Sequence, residues 1–353
     1  MQKPLRLGIV GVGKLGEVHA KLLSELSSER KDVVFVGVYD KNPARSAEIA
    51  RRFGTRAFAS LAECAQSVDA AIVATTTSAH FEVASALMRC GVHLLIEKPM
   101  TATLEEADQL LRLEKETGVK IQVGHVERFN PAFVAVSQYI GEPVFITAER
   151  LSSFSRRATD VSVVLDLMIH DIDLILSLVP SDIMHISATG VEVFSNELDI
   201  ANARLEFENG ATATVTASRI SRTRVRKMRF FCRNPQSYAT LDLMTGKSEI
   251  FRLLDAPPLR TPSLKEFATQ KVLSLFGDLE GVLNGRVIDF ISPDVPKINA
   301  LKAEQQSFID AVLYDRPICV RSSEARRALD IATRITTRIE DHLRRLRAHS
   351  STP

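Results

Sequence analysis

The sequence has few cysteines, and their spacing forms no recognisable motif. The four, Cys64, Cys90, Cys232 and Cys319, are scattered along the chain, and no C-x-x-C pair occurs among them. This spacing argues against both a zinc site and a disulfide framework. We therefore expect no bound metal and a reducing, cytoplasmic compartment.

Long hydrophobic runs and an excess of one charge are also absent. No apolar run reaches the ~18 residues that a membrane span requires, and the chain enters its first strand without a signal-type region. The 45 basic and 43 acidic residues give a net charge of +2, so neither a nucleic-acid nor a membrane partner is indicated. With 353 residues, 45% of them hydrophobic, the chain is long enough for two domains with large cores.

A glycine-rich turn lies between the first predicted strand, Leu5 to Val10, and a helical pattern. The turn reads G-x-G-x-x-G, and this strand-to-helix context is typical of dinucleotide binding. Its first glycine permits the tight turn, the second lets the backbone approach a pyrophosphate, and the third allows close helix packing. The predicted dinucleotide-binding residues of this turn are Gly11, Val12, Gly13, Lys14, Leu15 and Gly16.

An acidic residue ends the second predicted strand, Val33 to Tyr39. Asp40 follows Gly16 by 24 residues, where a carboxylate can accept hydrogen bonds from both hydroxyls of an adenosine ribose. Because a carboxylate there repels a 2′-phosphate, NAD is favoured over NADP. Lys41 and Arg45 leave NADP open, since either could compensate a phosphate.

Strands and helices continue to alternate up to residue 123. This alternation predicts a doubly wound parallel sheet, and hence a Rossmann domain over residues 1–123. Ligands of such sheets lie at the carboxyl ends of the strands. The further residues expected to bind the cofactor at those ends are Thr75, Thr76, His80, Glu97 and Lys98.

From Gly124 the pattern changes to successive strand-like segments without helices between them. Asn209-Gly210 joins two of them and is a hairpin signal. The pattern predicts an α+β domain over residues 124–353 with a largely antiparallel open sheet.

Two parts of this second domain have separate interpretations. The stretch from Leu254 to Lys297, rich in proline and glycine, is interpreted as an excursion that is partly helical near 264–276 and covers a substrate. Two helices, near 298–314 and 323–346, close the chain, and the last of them is a candidate to pack back on the first domain.

Residues 161–178 read as a buried helix that carries ionisable side chains. Asp166, His170 and Asp173 lie at i, i+4 and i+7 and share one stripe of an α-helix. Burying such groups costs several kcal/mol unless they are paired, and for that reason they often mark functional sites. A core histidine satisfied by a neighbouring carboxylate is the competing interpretation.

Six positive charges lie between Arg219 and Arg229. Such a run is usually the solvated face of a strand. The alternative is that one or two of these arginines bind phosphate through paired hydrogen bonds.

With these motifs, the chain resembles the family of glucose-fructose oxidoreductase, inositol dehydrogenase and MocA over nearly its whole length. The glycine turn, Glu97-Lys98-Pro99, and Asp166 with His170 in D-x-x-x-H spacing carry the resemblance. Residues 125–131 and 165–173 are similar to the branch that oxidises the 3-hydroxyl of UDP-N-acetylglucosamine or its uronic acid. The chain departs from many members in one place, where Val163-Val164 replaces a glycine pair.

The resemblance implies an NAD-dependent sugar dehydrogenase. His170 would take the hydroxyl proton, Asp166 would help to hold its tautomer and the sugar, and Lys98 would donate a hydrogen bond to the developing alkoxide. A Lys98 with a depressed pKa could exchange roles with His170. Both side chains are expected to meet beside the nicotinamide. The further residues expected to contact a nucleotide-sugar are Arg128, Asn130 and Arg219.

Two other functions remain open from the sequence. One is oxidation of inositol, a free sugar or another polyol, and the other is a non-catalytic regulator that binds a dinucleotide. A homo-oligomer, dimer or tetramer, is expected in each case, because no helix layer can be assigned to the far face of the second-domain sheet.

Overall fold

The computed structural model describes residues 3–154, 161–255, 282–283 and 286–350. By their contacts they form two units. The first runs to Phe129 and includes Ile298–Thr333, and the second contains Asn130–Lys297 and the residues from Arg334 onward.

The first unit contains a six-stranded sheet in which every strand pairing is parallel. Its strands are β1 Leu5–Val10, β2 Val33–Tyr39, β3 Arg56–Ala57, β4 Ala70–Val73, β5 His93–Glu97 and β6 Ile121–Gly124. Their order is β3-β2-β1-β4-β5-β6, which confirms the predicted doubly wound sheet. Because the order reverses between β1 and β4, the expected ligand crevice lies at the carboxyl ends of these two strands.

Helices connect the strands of this sheet. They are α1 Lys14–Glu29, α2 Pro43–Phe53, α3 Leu61–Ser67, α4 Thr77–Arg89 and α5 Leu104–Thr117, with a 3-10 turn at Val126–Phe129. The ends of α5 follow directly from the sequence. Thr103 and Glu106 form a capping box at its start, and Gly118 ends it in the left-handed conformation at φ +68°.

A later helix, which follows the excursion in sequence, also belongs to the first unit. The helix α8 Ala300–Leu313 buries Phe308 and Ile309 in the same core as Leu7, Ile9 and Leu23. The sequence pattern predicts this helix in the second domain, but its contacts assign it to the first unit. Periodicity shows which face of a helix is apolar, but it does not show which sheet that face covers.

The second unit contains a nine-stranded sheet. Its strands are β7 Pro143–Leu151, β8 Ile183–Val191, β9 Ile200–Phe207, β10 Thr212–Ser218, β11 Val225–Arg233, β12 Gln236–Asp242, β13 Ser248–Asp255, β14 Val282–Leu283 and β15 Arg286–Ile291. Their order is β14-β15-β13-β12-β11-β7-β10-β9-β8, and only the β7–β10 pairing is parallel among the described strands. The expected largely antiparallel sheet is confirmed. The β9–β10 hairpin turns at Asn209 and Gly210, where Gly210 has φ +85°.

The strand β15 lies within the stretch that was interpreted as an excursion. It pairs antiparallel with β13 and so extends the sheet. The expected helix near 264–276 lies outside the described residues. No sequence signal separated β15 from its surroundings, because a six-residue strand between proline- and glycine-rich segments is too short for a clear period.

The remaining helices of the second unit include one irregular element. They are α6 Pro131–Ser137, a π-helical turn at Val164–Met168, and α7 Ile169–Leu178. The last helix, α9 Ser322–Ser350, contributes residues to both units. Early in α9, Arg326 donates to Asp108 on α5 at 2.9 Å, and later Ile339 packs against Gly190 on β8. No helix within the described residues is long and apolar enough to cross a bilayer.

Candidate active site

The glycine-rich turn brings the ends of β1 and β4 into close contact. Gly11 has φ +87°, and a Cβ on it would lie 2.6 Å from the amide nitrogen of Thr75. A Cβ on Gly16 would lie 1.9 Å from the Gly11 carbonyl oxygen, whereas a Cβ on Gly13 would meet none of the described atoms within 4 Å. Gly11 and Gly16 therefore permit close packing, and Gly13 leaves open space beside the backbone.

That open space lies at the start of α1. Gly13 is the N-cap residue and has no side chain to bond the amides of the first turn, which have no partners within the helix. These amides and the exposed Lys14 and Leu15 surround a position suited to an anionic phosphate. The turn therefore fits the pyrophosphate of a dinucleotide.

Asp40 lies beside this turn at the end of β2. Its Oδ2 accepts a hydrogen bond from the Val12 amide at 2.8 Å, and its Oδ1 accepts one from the Asn42 amide at 2.9 Å. Two backbone donors thus fix the carboxylate next to the phosphate position. Each oxygen has a second lone pair with which to accept a ribose hydroxyl.

Arg45, one of the two residues that could compensate the 2′-phosphate of NADP, already has partners within the protein. Arg45 Nε donates to the Val12 carbonyl at 2.9 Å, and its other guanidinium nitrogens pair with Glu17 and Glu48. The guanidinium is therefore held within the fold. Lys41, the second residue that could compensate a 2′-phosphate, is exposed.

Thr75, Thr76 and His80 follow the carboxyl end of β4. Thr76 is exposed and Thr75 is half-buried, but His80 is only 1% exposed. Its Nδ1 lies 2.9 Å from the Pro99 carbonyl oxygen and its Nε2 lies 3.2 Å from the Thr75 carbonyl oxygen. Burial lowers the pKa of His80, so the neutral ring donates to only one of these carbonyls, the nearer one of Pro99. His80 thus ties the β4 turn to the segment after Lys98.

The Glu97-Lys98-Pro99 segment ends β5. Glu97 is 7% exposed, whereas Lys98 is half-buried, and the Lys98–Pro99 peptide bond is cis. Glu97 Oε2 accepts a hydrogen bond from the Lys98 amide at 3.3 Å. Glu97 is predicted from the sequence to bind the cofactor, but its carboxylate faces the interior of the unit. There it meets buried side chains that no sequence motif indicates.

One of these residues is His19 on α1. His19 is fully buried, and its Nε2 lies 2.7 Å from Glu97 Oε1. On the other side, the amide nitrogen of Gln305 on α8 lies 2.8 Å from His19 Nδ1. A sequence signal for this contact existed, because His19 lies on the apolar face of the helix that follows the glycine turn.

A second buried carboxyl group belongs to Glu304 on α8. Its side chain is 0% exposed, and neither carboxyl oxygen has a hydrogen-bond partner among the described residues. Burial and the nearby charge of Glu97 raise the pKa of Glu304 well above its ordinary value. The cause is that desolvation disfavours the charged form of the carboxyl group.

In the second unit, Asp166 and His170 lie on either side of a change in helix type. Residues 161–178 were predicted to form one continuous helix. The structure instead has a π-helical turn at Val164–Met168, in which the Ile169 amide points to the Val164 carbonyl five residues earlier. Asp166 lies in this turn and His170 in the first turn of α7, and both side chains are half-buried. Such turns often occur at functional sites.

The neighbouring acids of α7 are buried more deeply. Asp171 is 2% exposed and forms two hydrogen bonds with Arg150 on β7, at 2.9 and 2.8 Å. Asp173, predicted to share the stripe of Asp166 and His170, is 1% exposed. The π-helical turn adds a residue between the two parts of the helix, so the i, i+4, i+7 spacing no longer gives one equally accessible stripe.

The residues expected to contact a nucleotide-sugar occupy different environments. Arg128 is half-buried in the 3-10 turn. Asn130 Oδ1 caps α6 by accepting from the Ala132 amide, and its Nδ2 donates to the Leu243 carbonyl at 3.0 Å. The amide of Asn130 therefore has structural contacts at both ends.

Arg219 is 4% exposed and lies inside the second unit. Its guanidinium bonds to Asp199 at 2.8 Å, to the Val161 carbonyl at 2.6 Å and to the Ser195 hydroxyl at 3.1 Å. These contacts hold the start of the segment that bears Asp166. The other charged residues of the run, such as Arg226 and Arg229, are exposed on β11.

Known proteins share both parts of this architecture. A family model described as "Oxidoreductase family, NAD-binding Rossmann fold" matches residues 5–125, and one described as "GFO/IDH/MocA C-terminal domain" matches residues 134–234. The chain belongs to the Gfo/Idh/MocA oxidoreductase family. It is therefore a dehydrogenase that acts on a CH–OH group and binds a dinucleotide.

Several Gfo/Idh/MocA relatives have been characterised or solved. A UDP-N-acetylglucosamine 3-dehydrogenase of Acidithiobacillus ferrooxidans is 33% identical over 97% of this chain and 99% of that relative. Its solved structure has a TM-score of 0.82 at 32% identity and covers 96% of this chain and 99% of that one. A scyllo-inositol 2-dehydrogenase (NAD(+)) of Bacillus subtilis is 29% identical over 63% of this chain and 69% of that relative.

The pKa of Glu304 predicts how stability depends on pH. The folded protein holds this proton to a higher pH than the unfolded chain, whose glutamates titrate near pH 4.3. The contribution of this proton to the stability of the folded protein is therefore complete below that pH. It is lost as the pH rises toward the pKa that Glu304 has in the folded protein. We expect the thermal unfolding temperature of Glu304→Gln, relative to the unchanged protein, to increase from pH 5 to pH 9. A constant difference over this range would contradict the assignment, and Glu116→Gln, which changes an exposed glutamate of the first unit, is the control.

Proposed function

We propose that this enzyme oxidises a secondary hydroxyl of a UDP-linked sugar, the 3-hydroxyl of UDP-N-acetylglucosamine, with NAD as the acceptor. The observation that carries this proposal is the extent of the likeness to the Acidithiobacillus ferrooxidans enzyme. It covers 97% of this chain and 99% of that relative, at 33% identity. The likeness to the Bacillus subtilis inositol dehydrogenase covers only 63% of the chain.

Three side chains, Lys98, Asp166 and His170, are proposed to move the proton of the sugar hydroxyl. An imidazole nitrogen of His170 takes the hydroxyl proton, and the Asp166 carboxylate holds the imidazole and the sugar. The Lys98 amine donates a hydrogen bond to the oxygen as its negative charge develops. A bound nicotinamide dinucleotide supplies the hydride acceptor. Lys98 belongs to the first unit and His170 to the second, and their approach to one substrate remains a prediction.

Loss of either side chain should remove most of the turnover. With NAD and UDP-N-acetylglucosamine, we expect Lys98→Met and His170→Ala each to lower kcat by about 100-fold or more, the usual contribution of a positioned proton-transfer group. The measurement is the rate of NADH formation. Lys247→Met and His185→Ala, which change exposed residues of the same types, are the matched controls.

Two results would contradict this assignment. Near-normal turnover in both Lys98→Met and His170→Ala would remove the proposed roles. Oxidation of inositol without oxidation of any UDP-sugar would favour the polyol alternative that the Bacillus subtilis relative supports.

The proposal of NAD rather than NADP is supported by the arrangement around Asp40. The carboxylate is fixed by two backbone amides, and Arg45 is engaged by Glu17 and Glu48. A 2′-phosphate beside Asp40 would meet a fixed negative charge, and the Arg45 guanidinium is already paired with acidic residues.

The isosteric change Asp40→Asn tests this preference. It removes the charge but keeps an oxygen that can accept from the Val12 amide. We expect kcat/KM for NADP to rise by about tenfold or more relative to NAD, because close charges of equal sign repel by several kcal/mol at a protein surface. A preference for NADP in the unchanged enzyme would refute the proposal. Asp255→Asn, at the end of β13, is the control.

A homo-oligomer is proposed from the exposed face of the nine-stranded sheet. Aromatic rings from five neighbouring strands form a continuous row on that face, with ring centroids 5.0 to 6.2 Å apart. The row consists of Phe145, Phe231, Tyr238, Phe251 and Phe290. Phe145 and Phe231 are 36% and 37% exposed, whereas Phe230, on the opposite face of β11, is fully buried. A second copy of the chain would cover this row.

Replacing two rings of the row should weaken that assembly. We expect Phe145→Ser combined with Phe231→Ser to shift the mass measured by light scattering toward that of one chain, because the change removes apolar surface from the proposed interface. Phe194→Ser, which removes a more exposed ring outside the row, should leave the mass unchanged. A monomeric unchanged protein would disprove the proposed assembly.

A further inference from the structure

A buried chain of hydrogen bonds runs from α8 through α1 to the residue before Lys98. Its members are Gln305, His19 and Glu97, whose exposures are 1%, 0% and 7%. All three belong to the first unit. We call it the Gln305–His19–Glu97 chain.

The direction of this chain follows from the donors and acceptors. The Gln305 amide nitrogen lies 2.8 Å from His19 Nδ1 and also donates to the His19 carbonyl oxygen at 3.3 Å. A carbonyl oxygen only accepts, so the amide nitrogen, not the amide oxygen, faces His19. His19 Nδ1 is then an acceptor, and the single ring proton is on Nε2. That proton is donated to Glu97 Oε1 at 2.7 Å.

The other oxygen of Glu97 reaches the backbone of the proposed catalytic lysine. Glu97 Oε2 accepts the Lys98 amide hydrogen at 3.3 Å. The carboxylate lies directly against β6, because a Cβ on Gly124 would be 3.0 Å from its Cδ and Oε2. His19 thus holds the carboxylate on one side, and on the other side Gly124 leaves room for it because it has no side chain.

The backbone after Lys98 is also anchored. His80 Nδ1 donates to the Pro99 carbonyl oxygen at 2.9 Å. Lys98 itself is half-buried, while both of its chain neighbours are buried. Its side chain therefore projects from a backbone segment that is fixed before and after it.

We propose that Gln305 and His19 are positioning residues for Lys98. Gln305 and Glu97 together hold His19 as the Nε2–H tautomer. His19 orients the Glu97 carboxylate, and Glu97 fixes the backbone from which the Lys98 amine projects. This inference rests on the proposed role of Lys98. A core histidine that only satisfies its own hydrogen bonds would not affect Lys98. Here the hydrogen bonds fix one tautomer of His19, and the chain ends at the Lys98 amide. A displacement of about 1 Å at a reacting group can cost up to 100-fold in rate.

The first test measures the tautomer directly. In the full-length protein with ¹⁵N-labelled histidine, the ring signals of His19 are identified by their loss in His19→Gln. We expect the Nε2–H form in the unchanged protein and a shift of the Nδ1 signal in Gln305→Met, which removes the amide donor to that nitrogen. An Nδ1–H form in the unchanged protein would overturn the proposal.

The second test separates positioning from stability. We expect His19→Leu to lower kcat by about tenfold, a partial displacement of Lys98, with little change in KM for the dinucleotide. His19→Gln keeps a donor toward Glu97 and should recover part of kcat. The control is Gln122→Met, which removes a buried amide that donates to the Glu304 carbonyl at 3.0 Å but not to Glu97. Equal kcat in His19→Leu and Gln122→Met, at equal loss of unfolding temperature, would show a purely structural role.

A third measurement needs no sugar substrate. Reductive ¹³C-methylation of the lysines gives each amine a separate signal, and Lys98→Met identifies that of Lys98. We expect this signal to shift in His19→Leu and Gln305→Met but not in Gln122→Met. An unchanged signal in the first two variants would refute the proposal. If UDP-N-acetylglucosamine is not oxidised, this measurement and the tautomer still decide the positioning roles, so failure of the proposed substrate stays distinguishable.

Discussion

The buried carboxylate of Glu97 is the constraint on which the first unit depends. Removing a carboxylate from water costs several kcal/mol unless donors meet it, and Glu97 is only 7% exposed. His19 and the Lys98 amide supply those donors. The need to satisfy this one group explains why α1, β5 and α8 share polar contacts within an otherwise apolar core. After burial itself, the charge of Glu97 is the second cause that raises the pKa of nearby Glu304.

In the second unit, buried ion pairs fix the segments next to the proposed catalytic residues. Arg150 and Asp171 connect β7 to α7, and Arg219 and Asp199 hold the loop next to the π-helical turn. Breaking such a pair leaves an uncompensated charge, which typically costs about 3–5 kcal/mol. The segment that carries Asp166 and His170 therefore lies between two rigid polar anchors. An enzyme that orients a sugar hydroxyl benefits from this rigidity, because misplacement of the reacting groups reduces the rate.

Much of the fold was accessible from local patterns. The glycine turn, the acid at the end of β2 and the alternation of elements up to residue 123 predicted the parallel sheet, and Asn209-Gly210 predicted a hairpin that the structure contains. The errors have a common cause. The π-helical turn at Val164–Met168 and the strand Arg286–Ile291 depend on tertiary packing, and a periodicity analysis tests only regular α and β repeats.

By itself, the sequence determined the elements whose signals are local: where the glycines allow a tight turn, where strands end, and which residues can move protons or accept a ribose. Only the tertiary structure decided which distant side chains share a buried environment. Glu304 and Gln305 lie about two hundred residues after Glu97 in the chain, and no pattern along the sequence relates them to it. Their contacts arise because α8 packs its apolar face against the parallel sheet, and this packing is set by the shape of the whole core.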